Sequence, residues 1–343
     1  MNSVERFLAT VERRPVDRPA VWLGMPSAGA CERLFAEYGV SNLHALKLAV
    51  GDDFYAVDLP FHAPYSDAIY AAFDWYAGAV PDERRTLTSD GCFHDCQTVA
   101  DTAFFRWPVA AEHVDPVECA RAVACAPEDK AALGIVWSAH FQDTCAAFGM
   151  ETALMNMLEA PELFAAVNDR IVDFYLNANE IFYRAAKGKL HAVLIGNDMG
   201  SQRGLMLSPE LIRTLVLPGS RRLVEQAHRY GLKVLYHSCG AIAEMIPDLL
   251  EMGVDVIHPI QALAAGMSAE SLHERFGGRA SFCGGVDTQR LLVSGSPEDV
   301  RRRVRELRAL FPTGLILSPS HEAILPDVPP ENLRALFEEA TSC

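Results

Sequence analysis

Residues 191–198 (HAVLIGND) and residues 232–240 (LKVLYHSCG), with the segment between them, decide the fold. Each quoted run is apolar and rich in branched side chains until it ends in polar residues, as a strand buried on both faces does. The intervening SPELIRTLVLPGSRRLVEQAHRYG has helical periodicity, with a bend expected at Pro218-Gly219. A strand, a helix and another strand in this order predict a parallel βαβ unit.

The same alternation extends over most of the chain and predicts eight strands. The candidates are AVWLGM (20–25), FYAVDLP (54–60), LGIVWSAHF (133–141), the two runs above, VDVIHPIQ (254–261), ASFCGGVD (280–287) and GLILSPSH (314–321). Eight strand–helix units predict an α/β fold of the (β/α)8 TIM-barrel type. An open doubly wound sheet is the alternative, but no G-x-G-x-x-G segment follows any of these strands.

We expect a single barrel domain over residues 1–343. Residues 61–130 break the alternation and are rich in Asp, His, Cys and aromatic side chains. They are predicted to form an insertion after the second strand, as a lid or a small antiparallel subdomain. Ser296 is predicted to cap a helix over residues 296–311.

The composition of the chain argues against two classes of binding partner, nucleic acids and membranes. A net charge of −15 repels phosphate backbones, so nucleic acid is not an expected partner. No apolar run reaches the roughly 18 residues of a membrane helix, and the charged N-terminal segment lacks the apolar core of a signal peptide. We therefore expect no membrane association and a cytoplasmic location. The 9 cysteines have no framework spacing and are expected to be reduced thiols.

Polar side chains cluster where five successive predicted strands end. In a barrel these carboxyl ends surround the active-site mouth, so the placement predicts an active site there. The residues are Asn197, Asp198, Gln202, His237, Cys239, His258, Gln261, Cys283, Asp287, Gln289, His321 and Glu322.

His237 and Cys239 are the sharpest candidates for metal binding. Side chains two residues apart on a strand point the same way, so an imidazole and a thiolate can share one ion. That pair of ligands favours zinc, and a catalytic zinc site has about three protein ligands. A third ligand from another strand is expected to be His321, then Cys283, then a carboxylate such as Asp198 or Glu322. The alternative is a buried Cys beside a hydrogen-bonded His.

The remaining candidates are assigned to the reaction or to the substrate. Asp198 would hold a substrate proton or orient a metal-bound His, although an Asp after a strand also often orders a turn. The catalytic candidates are Asp198, Gln202 and Gln261, and the substrate-binding candidates are Asn197, His258, Asp287 and Gln289. Gln202 and Gln261 would donate hydrogen bonds to a substrate, or would tether loops.

The stretch GNDMGSQRGLMLSPELIRTLVLPGSRRLVEQAHRYGLKVLYHSCG (196–240) resembles the central segment of the uroporphyrinogen decarboxylase superfamily. GVDVIHPIQ, FCGGVDTQRLLVSGSPEDV, LILSPSHEAILPDVPPENL and the opening VERFLATVERRPVDRPAVWLGM resemble the same superfamily. The resemblance covers nearly the whole chain and is weakest over residues 61–130. It implies the (β/α)8 barrel and a pocket at the strand carboxyl ends.

The resemblance is strongest to the branch of corrinoid-dependent methyltransferases, which act on coenzyme M or on methyl ethers. True decarboxylases carry an R-Q-A-G-R segment after the first strand, whereas this chain has MPSAGA (25–30) without arginine. The methyltransferases hold zinc with an H-x-C pair, which maps onto His237 and Cys239, and a distant Cys, at whose position this chain has His321. The branch implies a zinc-dependent methyltransferase with one zinc per chain.

That branch also implies the partners. The corrinoid would be carried by a separate partner protein, and a small molecule would give or accept the methyl group. A homodimer is a further option. Two other functions stay open, namely a metal-free lyase that acts on a small carboxylic acid through Asp58, Asp198 and the histidines, and a non-catalytic binding protein. Stoichiometric zinc separates the methyltransferase from both.

Overall fold

The computed structural model of the chain describes residues 1–62 and 89–342. Its centre is a sheet of eight parallel strands in the order β1-β8-β7-β6-β5-β4-β3-β2. The strands are β1 Ala20–Val21, β2 Phe54–Asp58, β3 Ala131–Trp137, β4 Ala192–Gly196, β5 Lys233–His237, β6 Val256–Ile260, β7 Phe282–Val286 and β8 Leu315–Pro319. The predicted (β/α)8 barrel is confirmed.

Helices connect the strands and surround the sheet. They are α1 Ser3–Val11, α2 Ala28–Tyr38, α3 Leu43–Ala49, α4 Pro116–Ala124, α5 His140–Phe148, α6 Met150–Glu159, α7 Pro161–Ala186, α8 Pro209–Leu211, α9 Leu217–Arg229, α10 Ile246–Glu251, α11 Ala269–Phe276, α12 Leu291–Ser294, α13 Pro297–Leu310 and α14 Pro330–Thr341. None of the described helices is both long and apolar enough to cross a membrane.

Two buried carboxylates help to close the seam between β1 and β2. The Asp53 N–H donates to the carbonyl of Val21 at 3.0 Å. In return, the Val21 N–H donates to the Asp53 carboxylate at 2.9 Å, and the Leu23 N–H donates to the Asp52 carboxylate at 3.0 Å. The two carboxylates thus accept backbone N–H groups that carbonyl oxygens of a neighbouring strand would accept in a regular sheet. Without them, these buried N–H groups would have no hydrogen-bond partner.

The first strand is shorter than predicted because the chain turns away after it. Only Ala20–Val21 is regular strand, and Gly24 has a φ of 83° in the left-handed region. The Met25 N–H then donates to the carbonyl of Glu322 at 2.7 Å. The segment after β1 is therefore tied to the segment after β8.

The hydrophobic core has two parts. Phe7, Trp22, Phe54 and Leu133 belong to a fully buried cluster inside the barrel, with α1 placing Phe7 across its amino end. The larger cluster lies between the strands and the outer helices. Burying each such side chain contributes about 1.5–3 kcal/mol, so the apolar strands drive formation of both layers.

Helix boundaries follow local chemistry. Ser296 caps α13 as predicted: its hydroxyl oxygen accepts the Asp299 N–H, and the Asp299 carboxylate accepts the Ser296 N–H. The bend expected at Pro218 appears as one π-helical turn over Ile212–Val216, between α8 and α9. Because proline has no N–H to donate, the helical hydrogen bonds change register just before it.

The predicted insertion divides into described and undescribed parts. Residues 63–88 lie outside the part of the chain that the structure describes. Residues 89–115 contain two 3-10 turns, Val99–Phe104 and Ala110–Glu112. The helix α4 lies within the predicted insertion but connects β2 to β3 as a barrel helix. The lid and the single-domain boundary stay predictions.

Candidate metal centre at the strand carboxyl ends

The H-x-C pair meets a carboxylate from the neighbouring strand. His237 ends β5, and its Nε2 lies 3.4 Å from the Sγ of Cys239. Asp198 follows β4; its Oδ1 lies 3.2 Å from the same Nε2 and accepts the Cys239 N–H at 2.8 Å. Donor atoms of Asp198, His237 and Cys239 all lie within 4.8 Å of one another, as ligands of one ion would.

The other ring nitrogen of His237 belongs to a second donor group. Its Nδ1 lies 3.0 Å from the Nδ1 of His258 and 3.4 Å from Oε2 of Glu322. His258 is fully buried and Glu322 is 7% exposed. The Nε2 of His258 and the Oε2 of Glu322 have no hydrogen-bond partner among the described residues. Buried polar atoms without partners are rare and point to a missing ligand, ion or water.

The charges of the first group support one another. Burial alone would lower the pKa of His237, but Asp198, Cys239 and Glu322 raise it well above its ordinary value. Burial raises the pKa of Asp198, but hydrogen bonds from His237 and the Cys239 N–H bring it below its ordinary value. The pKa of Cys239 is likewise raised by burial and lowered overall by His237 and His321. The shifts favour the thiolate and the carboxylate that a metal requires, and they also favour a protonated His237, which would have to release its proton when a metal binds.

His258 behaves differently from its neighbour. Burial lowers its pKa well below the ordinary value, and the positive charges of His237 and His321 lower it further. A neutral His258 can accept the proton of His237 Nδ1. A carboxylate or imidazole in this position orients a metal-binding His and fixes its tautomer.

His321 borders the cluster without joining either donor group. Its ring centre lies 6.0 Å from that of His237. Its Nδ1 accepts the N–H of Ala323 at 3.0 Å, so the proton of the neutral ring sits on Nε2. Asp198 is the residue grouped with His237 and Cys239 by distance, and the His321 side chain also forms a hydrogen bond with Cys239. Metal binding by His321 stays a prediction.

Cys283, the alternative third ligand, lies inside the barrel. It is fully buried on β7 in the cluster that contains Trp22 and Phe54, and burial raises the pKa of its thiol. Neither donor group includes it.

Comparison with known proteins identifies the family of this chain. The uroporphyrinogen decarboxylase (URO-D) family matches residues 117–343, well over half of the chain. The chain belongs to the uroporphyrinogen decarboxylase family. The uroporphyrinogen decarboxylases of Syntrophotalea carbinolica and Pelobacter propionicus are each 30% identical to it over 187 residues, which is 53% of this chain. Those residues cover 49% and 50% of the two proteins, so the chain spans about half the length of the curated relatives it matches.

A solved structure extends the likeness to the whole fold. A methyltransferase from Methanosarcina mazei has a TM-score of 0.70 and 17% sequence identity, over 99% of this chain and 98% of the other. At this identity the likeness concerns the fold alone.

Two residues predicted to bind substrate in this family member are engaged in local structure. Asn197 is buried; its Oδ1 accepts the Phe141 N–H at 2.8 Å and its Nδ2 donates to Ser220 at 3.2 Å. Asp287 accepts backbone N–H groups of the three residues from 289 to 291 at 2.7–3.0 Å and so orders the turn that leads into α12. Their roles toward a substrate stay predictions.

The three glutamine candidates occupy different places. Gln202 is exposed. The Oε1 of Gln261 accepts the N–H of Gly240, the residue after Cys239. Gln261 and the exposed Gln289 line a cavity of about 250 Å³ that His321 borders. The cavity therefore lies beside the cluster.

Trp137 is a feature of the site that the sequence reasoning missed. It ends β3, and its ring centre lies 5.3 Å from that of His237. Trp137 and Ser138 have φ values of 48° and 51°. Such left-handed non-glycine residues cost about 1–3 kcal/mol each and occur often at functional sites. The sequence could have indicated it, because a tryptophan at the end of a predicted barrel strand lies near the active-site mouth.

Proposed function

We propose that this chain is a zinc-dependent methyltransferase that moves a methyl group between a corrinoid, carried by a partner protein, and a small molecule. The observation that carries the proposal is the Asp198–His237–Cys239 group at the barrel mouth. An imidazole nitrogen, a thiolate and a carboxylate are a donor set that suits zinc. The H-x-C pair matches the methyltransferase branch, and the solved structure of the same fold is named as a methyltransferase.

The chain's residues would share the work. Asp198, His237 and Cys239 would hold the zinc ion, while His258 and Glu322 would orient His237 from behind. Zinc bound there would act as a Lewis acid or lower the pKa of a bound thiol or water. Trp137 would cover one side of His237 and exclude water from it.

The transfer itself balances as a displacement. The methyl group leaves without its bonding electron pair, which stays on the atom of the donor that held it, and the acceptor supplies the pair of the new bond. A thiol acceptor must therefore release its proton, and an oxygen or nitrogen leaving group must take one up. That proton would be exchanged with solvent, which reaches the site on the side of Asp198, whose side chain is 39% exposed.

Metal content of the purified protein tests the proposal. We expect about one zinc ion per chain in the native protein and loss of the ion in Cys239→Ala. Cys283→Ala is the matched control, because that thiol lies inside the barrel and should leave the zinc content unchanged. Asp198→Asn and His321→Asn, compared directly, decide the third ligand. A native protein that neither carries nor takes up zinc overturns the proposal.

The names of the curated relatives favour a second candidate, a decarboxylase-like lyase that acts on a carboxylic acid without metal. Against a highly carboxylated substrate stand the net charge of −15 and the segment 25–30, which contains no arginine. Turnover of uroporphyrinogen by a zinc-free preparation would establish this second function in place of the first.

A further inference from the structure

A buried polar cluster lies on the helix side of the sheet, behind the candidate metal centre. Its members come from the ends of β4 and β5 and from the helices α5, α7 and α9. Each is at most 3% exposed, and they are His140, Asn168, Asn197, Ser220 and Tyr236. Buried polar side chains that satisfy one another in a network make that part of the core rigid. The proposed function assigns no role to any of them.

Ser220 is the centre of this cluster. Its Oγ lies 2.8 Å from the hydroxyl oxygen of Tyr236 and 3.0 Å from the Nε2 of His140. It also accepts the Nδ2 N–H of Asn197 at 3.2 Å. A serine hydroxyl has one proton to donate and two lone pairs with which to accept, so these three contacts use its full capacity.

The hydrogen bonds of the cluster have one consistent direction. The Nδ2 of Asn168 donates to the carbonyl of Leu215 at 3.4 Å, so its Oδ1 faces the Nδ1 of His140, 2.8 Å away. His140 therefore carries its proton on Nδ1, and its Nε2 accepts the proton of the Ser220 hydroxyl. Ser220 in turn accepts the hydroxyl proton of Tyr236. Removing the Ser220 hydroxyl would leave buried polar groups of the strands and of α5 without this partner.

The start of α9 brings Ser220 close to the strands. A Cβ on the preceding Gly219 would lie 2.7 Å from Cγ2 of Val172 and 2.9 Å from Cε1 of His140. Carbon atoms in favourable contact are about 3.5–4.0 Å apart, so any larger residue would push α9 away from His140. The glycine is therefore required by the packing that places the Ser220 hydroxyl.

The cluster holds the two residues that directly precede candidate metal ligands. Side chains alternate between the two faces of a strand, so Tyr236 points to the helices and His237 points to the mouth. In the same way, Asn197 reaches the helices and Asp198 reaches His237 after the end of β4. A side chain that is fixed on one face restricts the direction of the next one, because the two share a backbone. One hydroxyl on α9 therefore links both strand ends.

We propose that Ser220 is a positioning residue of the metal centre. Its hydroxyl joins the ends of β4 and β5, so that Oδ1 of Asp198 and Nε2 of His237 stay 3.2 Å apart, within reach of one ion. The inference rests on the proposed function only in treating Asp198 and His237 as metal ligands. The link between the strand ends is a property of the chain and does not depend on metal.

Ser220→Ala tests the proposal, because it removes the hydroxyl and adds no atom. In metal-free protein that carries isotope-labelled histidine, we expect the ring-nitrogen NMR signals of His237 to shift, since the contacts of this ring with Asp198 change. The loss of these signals in His237→Gln identifies them. Zinc affinity, measured by competition with a chelator, should fall about tenfold or more, as it does when a residue that orients a metal ligand is removed.

Asn332→Ala is the matched control for the loss of a buried hydrogen-bonding group. Asn332 is 1% exposed and lies on α14, outside the cluster. Its Nδ2 donates to the carbonyls of Leu292 and Gly295 at 3.0 Å and 2.9 Å. This variant should lower the melting temperature, as Ser220→Ala also should, but it should leave the His237 signals and the zinc affinity unchanged.

Tyr236→Phe keeps the test decisive if Ser220→Ala does not fold. It removes one hydroxyl and breaks only the link to β5, and it should shift the same His237 signals. Unchanged His237 signals or an unchanged zinc affinity in the folded variant overturn the proposal. Equal changes in Asn332→Ala overturn it as well, because they would show that any such loss disturbs the site. Shifted signals in a protein that takes up no zinc support the positioning role and overturn the proposed function.

Discussion

The two ends of the barrel hold buried charges in opposite ways. At the amino end, the fully buried Asp53 receives Arg6 at 2.6 Å, Arg18 at 2.8 Å and the Val21 N–H at 2.9 Å. At the carboxyl end, Asp198 and Glu322 face only histidines in the ion pairs of the described residues, and Glu322 Oε2 has no hydrogen bond there. Guanidinium groups stay charged at every physiological pH, whereas a histidine can lose its proton, so the carboxylates at the carboxyl end can exchange their partner for a ligand such as a metal ion.

The largest effect on the free energy of unfolding should come from breaking the ion pairs of Asp53 at the amino end of the barrel. Asp53→Asn should lower the free energy of unfolding by about 3–5 kcal/mol, because it leaves two guanidinium groups near the core without their shared charge. Urea unfolding measures the loss. Asp17→Asn is the matched control on the same Arg6, and its side chain is 42% exposed, so about 1 kcal/mol or less is expected. A smaller loss in Asp53→Asn than in Asp17→Asn would contradict the comparison.

A buried and uncharged cluster around His140 allows a third comparison, because its contribution to stability depends on pH. His140 is fully buried between Asn168 and Ser220, and burial lowers its pKa to about 4. Between pH 6.5 and 4, His140 is protonated in the unfolded chain but stays neutral in the folded protein. Its contribution to the free energy of unfolding is therefore complete above pH 6.5 and is lost as the pH falls through this range. The loss should total about 3 kcal/mol.

Unfolding of the native protein and of His140→Gln over that pH range measures this dependence. The variant should be less stable at pH 7 and should show a shallower pH dependence, since glutamine does not titrate. Parallel curves for the two proteins would assign the pH dependence to other groups.

Zinc should stabilise the folded protein only by binding at the carboxyl end of the barrel. At free zinc about 100 times the dissociation constant, the free energy of unfolding should rise by about 2.7 kcal/mol. Cys239→Ala should lose this increment, whereas Asp53→Asn should keep it in full because the two ends are independent. Loss of the increment in Asp53→Asn would show that the two ends are coupled.

The smallest effect on stability is expected for Glu322→Gln. Because Glu322 Oε2 has no hydrogen bond among the described residues, neutralising it in zinc-free protein should change the free energy of unfolding by about 1 kcal/mol or less. Zinc affinity should nevertheless fall about 10–100-fold, since Glu322 lies behind His237. A loss of stability as large as that of Asp53→Asn would place Glu322 among the structural charges.

The predictable part of the site is the part that strand geometry determines. His237 and Cys239 are two residues apart at one strand end, so their meeting follows from strand geometry. Asp198 follows the neighbouring strand, but the sequence ranked it behind His321 and Cys283 as a third ligand. The contact of His237 with His258 depends on the register between β5 and β6, which no local pattern reveals. The tautomer of His321 depends likewise on one backbone N–H.

Other features had no usable local signal. Asn197 and Asp287 follow strands, where substrate-binding residues are expected. Polar residues that only order a loop or the start of a helix occur at the same positions, and both residues accept backbone N–H groups there. Arg6 and Asp53 are 47 residues apart in sequence, and neither the apolar periodicity nor any short motif connects them. The sequence therefore did not predict the pairing of Arg6 with Asp53, whereas it did predict a cluster of polar side chains at the strand carboxyl ends.

Gly24 has a consequence for the interpretation of genetic variants. A Cβ at this position would lie 2.3 Å from the carbonyl oxygen of Glu322, and the φ of 83° already disfavours other residues. Any substitution must push the backbone of Glu322 away from its place. A survey of inactivating alleles should therefore recover Gly24 together with the proposed metal ligands, although Gly24 is not one of them, and such alleles would be misclassified as mere folding defects.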